Sequence, residues 1–424
     1  MSQMEKNNDL KKEKIWDKLG PGFVTGASDD DPSGIATYTQ VGAQFGLAQL
    51  WTTFVNLPLM IAIQEMVGRI GMVAGEGLAS ILRKHYSKPV LWLVVVLVFI
   101  ANTINIGSDL GAMADSTRLL LPSIPFSILL IGYTVLILVL EIFLSYKTYA
   151  SVLKWFAVSL LGYLLTAFIV TTDWGTVLSS AFIPMFRFDR DFVTGFVALL
   201  GTTISPYLFI WQASEEIEEE IAAGRTSIKK RRGAAATDVR KMRRDTAIGM
   251  SFSQTITFFI IVTAAGTFFS HGLHDVQTTA QAAEALAPLA GRFASFIFAL
   301  GVVGTGLLAV PVLSASASYA LSEALSWKSG LYKKLKQAHG FYGAITIATL
   351  IGLLINFSGL NPIKALYWTA VLNGVVTPPL VLIILMVANN KKIMGKWVNG
   401  RWSNFFGGLT LLATTGAVIL LFVL

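Results

Sequence analysis

The 424-residue sequence is 54% hydrophobic and only 14% charged, with a mean hydropathy of +0.63 and a formal net charge of +8. That composition excludes an ordinary soluble domain and reads as an all-α integral membrane protein. The lack of any cysteine removes disulfides, thiolate metal sites and cysteine redox chemistry together.

Residues 1–18 are rich in Lys and Asn and lack the apolar core and small-residue cleavage site of a signal peptide, so they read as a cytoplasmic N-terminal segment. Apolar windows near the roughly 20 residues that cross about 30 Å of hydrocarbon then recur to the C-terminus. They predict eleven spans at 19–46 (interrupted), 49–74, 90–115, 124–145, 149–171, 192–216 (interrupted), 245–269, 291–322, 341–357, 362–388 and 402–424. The charged stretch 217–244, with EEIEEE at 215–220 running toward KKRR and RKMRR, reads as a solvated cytoplasmic loop.

With the N-terminus in the cytoplasm, 27 of the 33 Lys and Arg residues fall on the cytoplasmic side, five fall opposite, and Arg69 lies within a span. This asymmetry orients the chain in a cell (inner) membrane of prokaryotic type, with the C-terminus outside. The positive charge is therefore a topology signal, which leaves no case for nucleic-acid binding. Nothing in the sequence calls for an obligatory protein partner, and the lipid bilayer is the expected surrounding.

Only the first and sixth spans carry a helix breaker amid polar residues at mid-membrane depth. In the first, GASDDDPSG (26–34) stops one half-helix near Asp29 to Asp31 and lets a second begin at Pro32. In the sixth, GTTISPY (201–207) does the same around Pro206. Unpaired backbone in lipid costs several kcal/mol per group, so it persists only within protein or along a watery cavity. Two matched interruptions in two five-span halves, 19–171 and 192–388, imply one shared cavity of an inverted-repeat secondary transporter. The eleventh span, 402–424, is an addition outside the repeat.

Successive helical residues point about 100° apart, so the three adjacent carboxylates cannot all address one ion. Asp31, at the break, is the expected ligand; Asp30 is expected to line the cytoplasmic vestibule, and Asp29 to pair or meet water. A carboxylate at this depth calls for a cation. The remaining donors expected around it are oxygens: backbone near Gly34 and Thr202, the hydroxyls of Thr202, Thr203 and Ser205, and Asn373 in span ten. No histidine and no methionine lies in either interrupted span. The set suits Mg2+, Ca2+ or Mn2+ better than soft metals. No resident cofactor and no nucleophile–base pair is evident, so an enzyme is not expected. Glu65 and Arg69, one turn apart, read as a buried structural pair, and Asp115, Glu141 and Glu323 as interfacial groups at span ends.

GPGFVTGASDDDPSGIAT with VGAQFGLAQLW resembles the NRAMP family of divalent-metal transporters, whose first span carries Asp-Pro-Gly-Asn after a GPGF-like start. SDLG (108–111), SPYLFIWQAS (205–214) and LNPIKAL (360–366) extend the resemblance along the chain. It implies a leucine-transporter-like 5+5 inverted repeat with discontinuous first and sixth helices and an added eleventh. On this resemblance the family's metal-binding Asp falls on Asp31, its Asn on Gly34, its Met-Pro-His on Ser205, Pro206 and Tyr207, and its next His on Gln212. The two span-three carboxylates fall on Asp109 and Ala112, and the span-ten Gln near Ala370. Asp109 is then expected as an outer-vestibule carboxylate.

These departures remove a soft sulfur, two histidines and a glutamate, and are expected to widen the site for a partly hydrated ion. The pattern resembles the NRAMP-related magnesium branch: alternating-access uptake of Mg2+, and also Mn2+, without obligatory proton coupling. The alternatives are a proton-coupled Mn2+/Fe2+ transporter and a sodium-coupled organic-solute symporter.

Overall fold

A computed structural model describes residues 20–143, 160–171 and 173–424. The N-terminal segment 1–18, Lys147, Lys154 and the first part of the fifth predicted span, residues 149–159, therefore lie outside the described residues. Every long element among the described residues is a helix.

In chain order these are α1 (Pro21–Asp29), α2 (Pro32–Phe45), α3 (Thr52–Ala74), α4 (Leu78–His85), α5 (Lys88–Arg118), α6 (Phe126–Phe143), α7 (Leu161–Val170) and α8 (Trp174–Phe182). The second half contains α9 (Arg190–Thr203), α10 (Pro206–Ala222), α11 (Ala236–Thr267), α12 (Ala294–Ala324), α13 (His339–Ile355), α14 (Pro362–Ala388) and α15 (Arg401–Val423). Among the described residues, nine helices or continuous helix pairs are long and apolar enough to cross a bilayer. The broken pair α1–α2 and the described part of the fifth span, α7, complete the eleven.

Both expected interruptions are present, and local chemistry sets them. α2 begins with Pro32 at its first position and Asp31 as N-cap; α10 begins with Pro206 after Ser205 in extended conformation. Proline has no amide to donate and a fixed φ, so it starts a helix well and cannot continue one.

One end of the bundle carries Gly20, the start of α11 and the end of α10; the other carries Gly46, the end of α11 and the start of α9. These are called the Gly20 face and the Gly46 face. α6 and α15 lie at the periphery with Phe143, Leu412 and Phe422 exposed, the apolar outer surface that lipid requires.

Small residues bring the half-helices close to their neighbours. A Cβ on Gly26 would overlap the backbone of Gly249 in α11, and one on Gly22 the backbone of Thr246. α9 is set just as tightly on α14: a Cβ on Gly201 would overlap Ala370 O and the backbone of Gly374.

Two charged features differ from the sequence reading, and a third agrees with it. The EEIEEE run is helical, since α10 continues to Ala222 and α11 begins at Ala236, which shortens the loop to 223–235. Glu215, Glu216 and Glu220 are buried. Glu218 is held by Tyr319 Oη at 2.6 Å and by the amides of Leu331 and Tyr332 at 2.9 and 3.2 Å. Glu141 is not interfacial but buried, accepting a hydrogen bond from Ser314 Oγ of α12. The Glu65–Arg69 pair is present at 2.8 Å, joined by Arg243 Nε at 2.7 Å from Glu65 and by Asn399 Oδ1 at 2.6 Å from Arg69.

Candidate metal centre

The first break turns its three carboxylates to two sides. Asp31 Oδ1 accepts from Ser33 Oγ at 2.6 Å and from the Gly34 amide at 2.7 Å, which is an N-cap of α2. Its Oδ2 accepts from Asn105 Nδ2 of α5 at 2.9 Å. Asp29 faces the other way: its Oδ1 accepts from Ser205 Oγ at 2.8 Å, and its Oδ2 from Ser253 Oγ of α11 at 3.1 Å. Asp30 Oδ1 lies 3.2 Å from the same Ser253 Oγ.

Asn105 is the hub that sequence reasoning missed. Its amide nitrogen lies 2.9 Å from Asp31 and 3.2 Å from Asp109 Oδ2, while its carbonyl oxygen accepts from Asn373 Nδ2 at 3.4 Å. The available signal was an amide inside an apolar span, one turn before Asp109.

Asp109 is therefore brought beside Asp31 and is 0% exposed; it does not line an outer vestibule. Asp30, also 0% exposed, does not line a cytoplasmic one. Asp31 is not the lone charge at the break either. Asp29, Asp30, Asp31 and Asp109 are all at most 2% exposed, and among the described residues no Lys, Arg or His forms an ion pair with any of them. Among the described residues no three His, Cys, Asp or Glu side chains converge as a ready-made cage. That follows from the divergence of consecutive side chains.

The other predicted residues divide. Ser205 joins the two breaks, but through Asp29 and Thr202 O rather than Asp31. Tyr207 Oη donates to Ser28 O at 2.7 Å, covering a carbonyl freed at the end of α1. Asn373 reaches Asp31 only through Asn105. Thr202 Oγ1 bonds back to Ala198 O and Leu199 O, leaving its backbone carbonyl toward Ser205. Thr203 Oγ1 donates to Leu199 O and accepts from Asn56 Nδ2. Gln212 lies away from the break, donating to Glu216 at 2.8 Å. Ala370 contributes its backbone to the contact with Gly201. The space beside Gly34 is not void: a Cβ there would stand 3.3 Å from Tyr38 Oη and 3.4 Å from Asp29 O. Tyr38 thus occupies the room an asparagine side chain would need.

Access differs between the faces. On the Gly46 face a cavity of about 750 Å³ is lined by Gln40, Gln44, Asp191, His274 and Lys364 and descends to Ala36, one turn past Pro32. Toward the Gly20 face α1 is sealed against α11. Asp245 of α11 accepts from the amides of Gly20, Gly22 and Phe23 at 3.0, 2.7 and 3.3 Å, satisfying donors that every helix start leaves orphaned.

If this clasp holds the inner half-helix shut, Asp245→Ala should loosen α1. A lost cap of about 0.5–2 kcal/mol corresponds to about a 2- to 30-fold change in an opening equilibrium. Because the chain has no cysteine, a single Ala27→Cys reporter suffices. Its thiol should react faster from the Gly20 face by that factor in the Asp245→Ala background, and an unchanged rate would refute the clasp.

Two helices broken at one level, ten spans in two halves and buried carboxylates at the breaks define the leucine-transporter-like class of membrane fold. Residues 22–424 match the Nramp family, described as natural resistance-associated macrophage protein-like, and the chain belongs to that family. Membership places it among membrane transporters and not among enzymes.

The chain is 24% identical over 388 residues to the divalent metal cation transporter MntH of Bacillus subtilis (strain 168), covering 91% of this chain and 86% of that protein. It is 27% identical over 397 residues to MntH of Klebsiella pneumoniae subsp. pneumoniae, covering 92% and 89% respectively. Among solved structures, the Eremococcus coleocola manganese transporter bound to an aromatic bis-isothiourea compound superposes with a TM-score of 0.72 at 18% identity, over 97% of this chain and 87% of that one. Mhp1, a nucleobase-cation-symport-1 family transporter, superposes at 0.57 with 13% identity, over 96% and 90%.

Proposed function

We propose that the chain carries divalent metal ions into the cytoplasm by alternating access, with Mg2+ and Mn2+ as cargo and without obligatory proton coupling. The observation that carries the reading is the group of four buried carboxylates at the helix break, unaccompanied by a basic partner among the described residues. Taking such charges out of water costs several kcal/mol each, and a cation is the agent that offsets it.

The relatives' names as divalent metal cation transporters support the charge of the cargo. Hardness is supported by the donors: carboxylates of Asp31 and Asp109, amides of Asn105 and Asn373, carbonyls near Thr202, and hydroxyls where the family carries Met and His. Such oxygens favour Mg2+ and tolerate Mn2+. The absence of histidine from α1, α2, α9 and α10 supports transport without a dedicated proton relay. The Gly20 face, bearing most of the Lys and Arg, is the cytoplasmic one in this reading.

A proton-coupled manganese or iron transporter is the second reading. One observation favours it: the Met113 thioether and Pro32 both abut Gly306, which puts a soft atom within reach of the break. Proteoliposomes decide between them. Saturable Mg2+ influx, competed by Mn2+ and leaving internal pH unchanged, is expected. Influx that stops without a proton gradient, or Mn2+ transport indifferent to a large excess of Mg2+, would overturn the proposal.

A further inference from the structure

The α11 side of the break has too few protons for its oxygens. Ser253 has one hydroxyl proton, yet its Oγ lies 3.1 Å from Asp29 Oδ2 and 3.2 Å from Asp30 Oδ1. Ser205 has one as well, shared between Asp29 Oδ1 and Thr202 O at 2.8 and 2.7 Å. Two donor protons thus face four acceptors, and a hydroxyl can serve only one at a time. Asp30 Oδ2, fully buried, has no hydrogen-bond partner, and Tyr38 Oη, equally buried, has none of ordinary geometry, with only the Thr202 and Thr257 hydroxyls near it. Buried polar atoms are otherwise almost always paired, so each orphan needs a cause.

Asp31 is different. Both its oxygens are engaged by donors on α2 and α5, and its neighbour Asp109 is on α5. The carboxylates therefore fall into two pairs on opposite sides of the broken helix. One dication offsets one pair and leaves two negative charges buried in low dielectric.

We propose a second divalent-cation subsite on the α11 side, formed by the Asp29 and Asp30 carboxylates with Ser253 Oγ and Tyr38 Oη, alongside the Asp31 site on the α5 side. All four ligands are oxygens, which selects a hard ion. Asp29 O, at the end of α1, and Tyr38 Oη stand 3.4 and 3.3 Å from the point that a Gly34 Cβ would occupy, which makes Asp29 O a further candidate ligand. The inference rests on reading Asp31 as the cargo carboxylate, and it gives the protein a two-ion capacity.

Counting ions tests it. Mn2+ is titrated into the purified full chain at neutral pH and the free ion is followed by its paramagnetic resonance signal. The wild type should bind two Mn2+ per chain, Asp30→Asn one, and Asp31→Asn the one on the α11 side. Ser253→Ala, which keeps both carboxylates and guards against a misfolded Asp30→Asn, should weaken one of the two bindings about tenfold. A wild type that binds one Mn2+, as it would if protons neutralise Asp29 and Asp30, overturns the proposal; so does Asp30→Asn binding as the wild type does. Failure of the underlying reading shows separately, as normal uptake by Asp31→Asn.

Discussion

Asp31→Asn should cut uptake steeply at low ion concentration while leaving the fold intact. The substitution separates two jobs of one side chain. As N-cap of α2, Asp31 accepts from the Gly34 amide and from Ser33 Oγ. Asn caps about as well as Asp, so helix geometry should survive. What is lost is the charge facing the ion. Truncating one partner of a buried charge pair costs about 2–5 kcal/mol. At about 1.4 kcal/mol per factor of ten, that is a loss of about 30-fold to several thousandfold in uptake at low ion concentration. The loss should show mainly as a raised KM for Mg2+ in proteoliposomes, with an unchanged thermal midpoint. Asp31→Ala should lose uptake equally and stability as well, since it removes the cap. Wild-type uptake by Asp31→Asn would remove the cargo role from this residue.

The breaks were legible because proline leaves a local signature. Pro32 and Pro206 each follow a polar residue inside a window otherwise apolar enough to span, and both begin half-helices. The divergence of Asp29, Asp30 and Asp31 was also legible, from the helical step alone. Their destinations were not, because those depend on which face of α5 and α11 packs against the break. Hence Asp30 was expected at a vestibule and is buried on Ser253, and Asp109 was expected outside and shares the Asn105 amide with Asp31.

Asn105 itself illustrates the limit. An uncharged amide in a span gives a weak signal next to the aspartates, yet it connects α5 to both α2 and α14. The EEIEEE run shows the converse, since charge density reads as solvent exposure. Glu215, Glu216 and Glu220 are buried and Glu218 is half-buried because partners come from outside the run: Tyr319 and the 331–332 amides, distant in sequence, for Glu218, and nearby Arg225 at 3.4 Å for Glu220.

The second large effect should come from a single methyl group. Gly201 lies four residues before Ser205, where α9 touches α14, and a Cβ there meets backbone on two sides, Ala370 O and Gly374. Backbone cannot rotate aside as a side chain can, so Gly201→Ala must push α9 away from α14. Overpacking of this kind costs about 1–3 kcal/mol. The displacement bears on the break itself, because Thr377 Oγ1 of α14 donates to Ile204 O at 3.2 Å and Asn373 of α14 is tied to Asn105. Separating the two helices therefore loosens a carbonyl at the break and the amide chain that reaches Asp31 together. Gly201→Ala should lower the thermal midpoint and reduce Mg2+ uptake by more than about tenfold, whereas Gly343→Ala, in α13 with open space around it, should change neither. If Gly201→Ala transports and melts as the wild type does, the α9–α14 contact is not what holds the second break in register with the first.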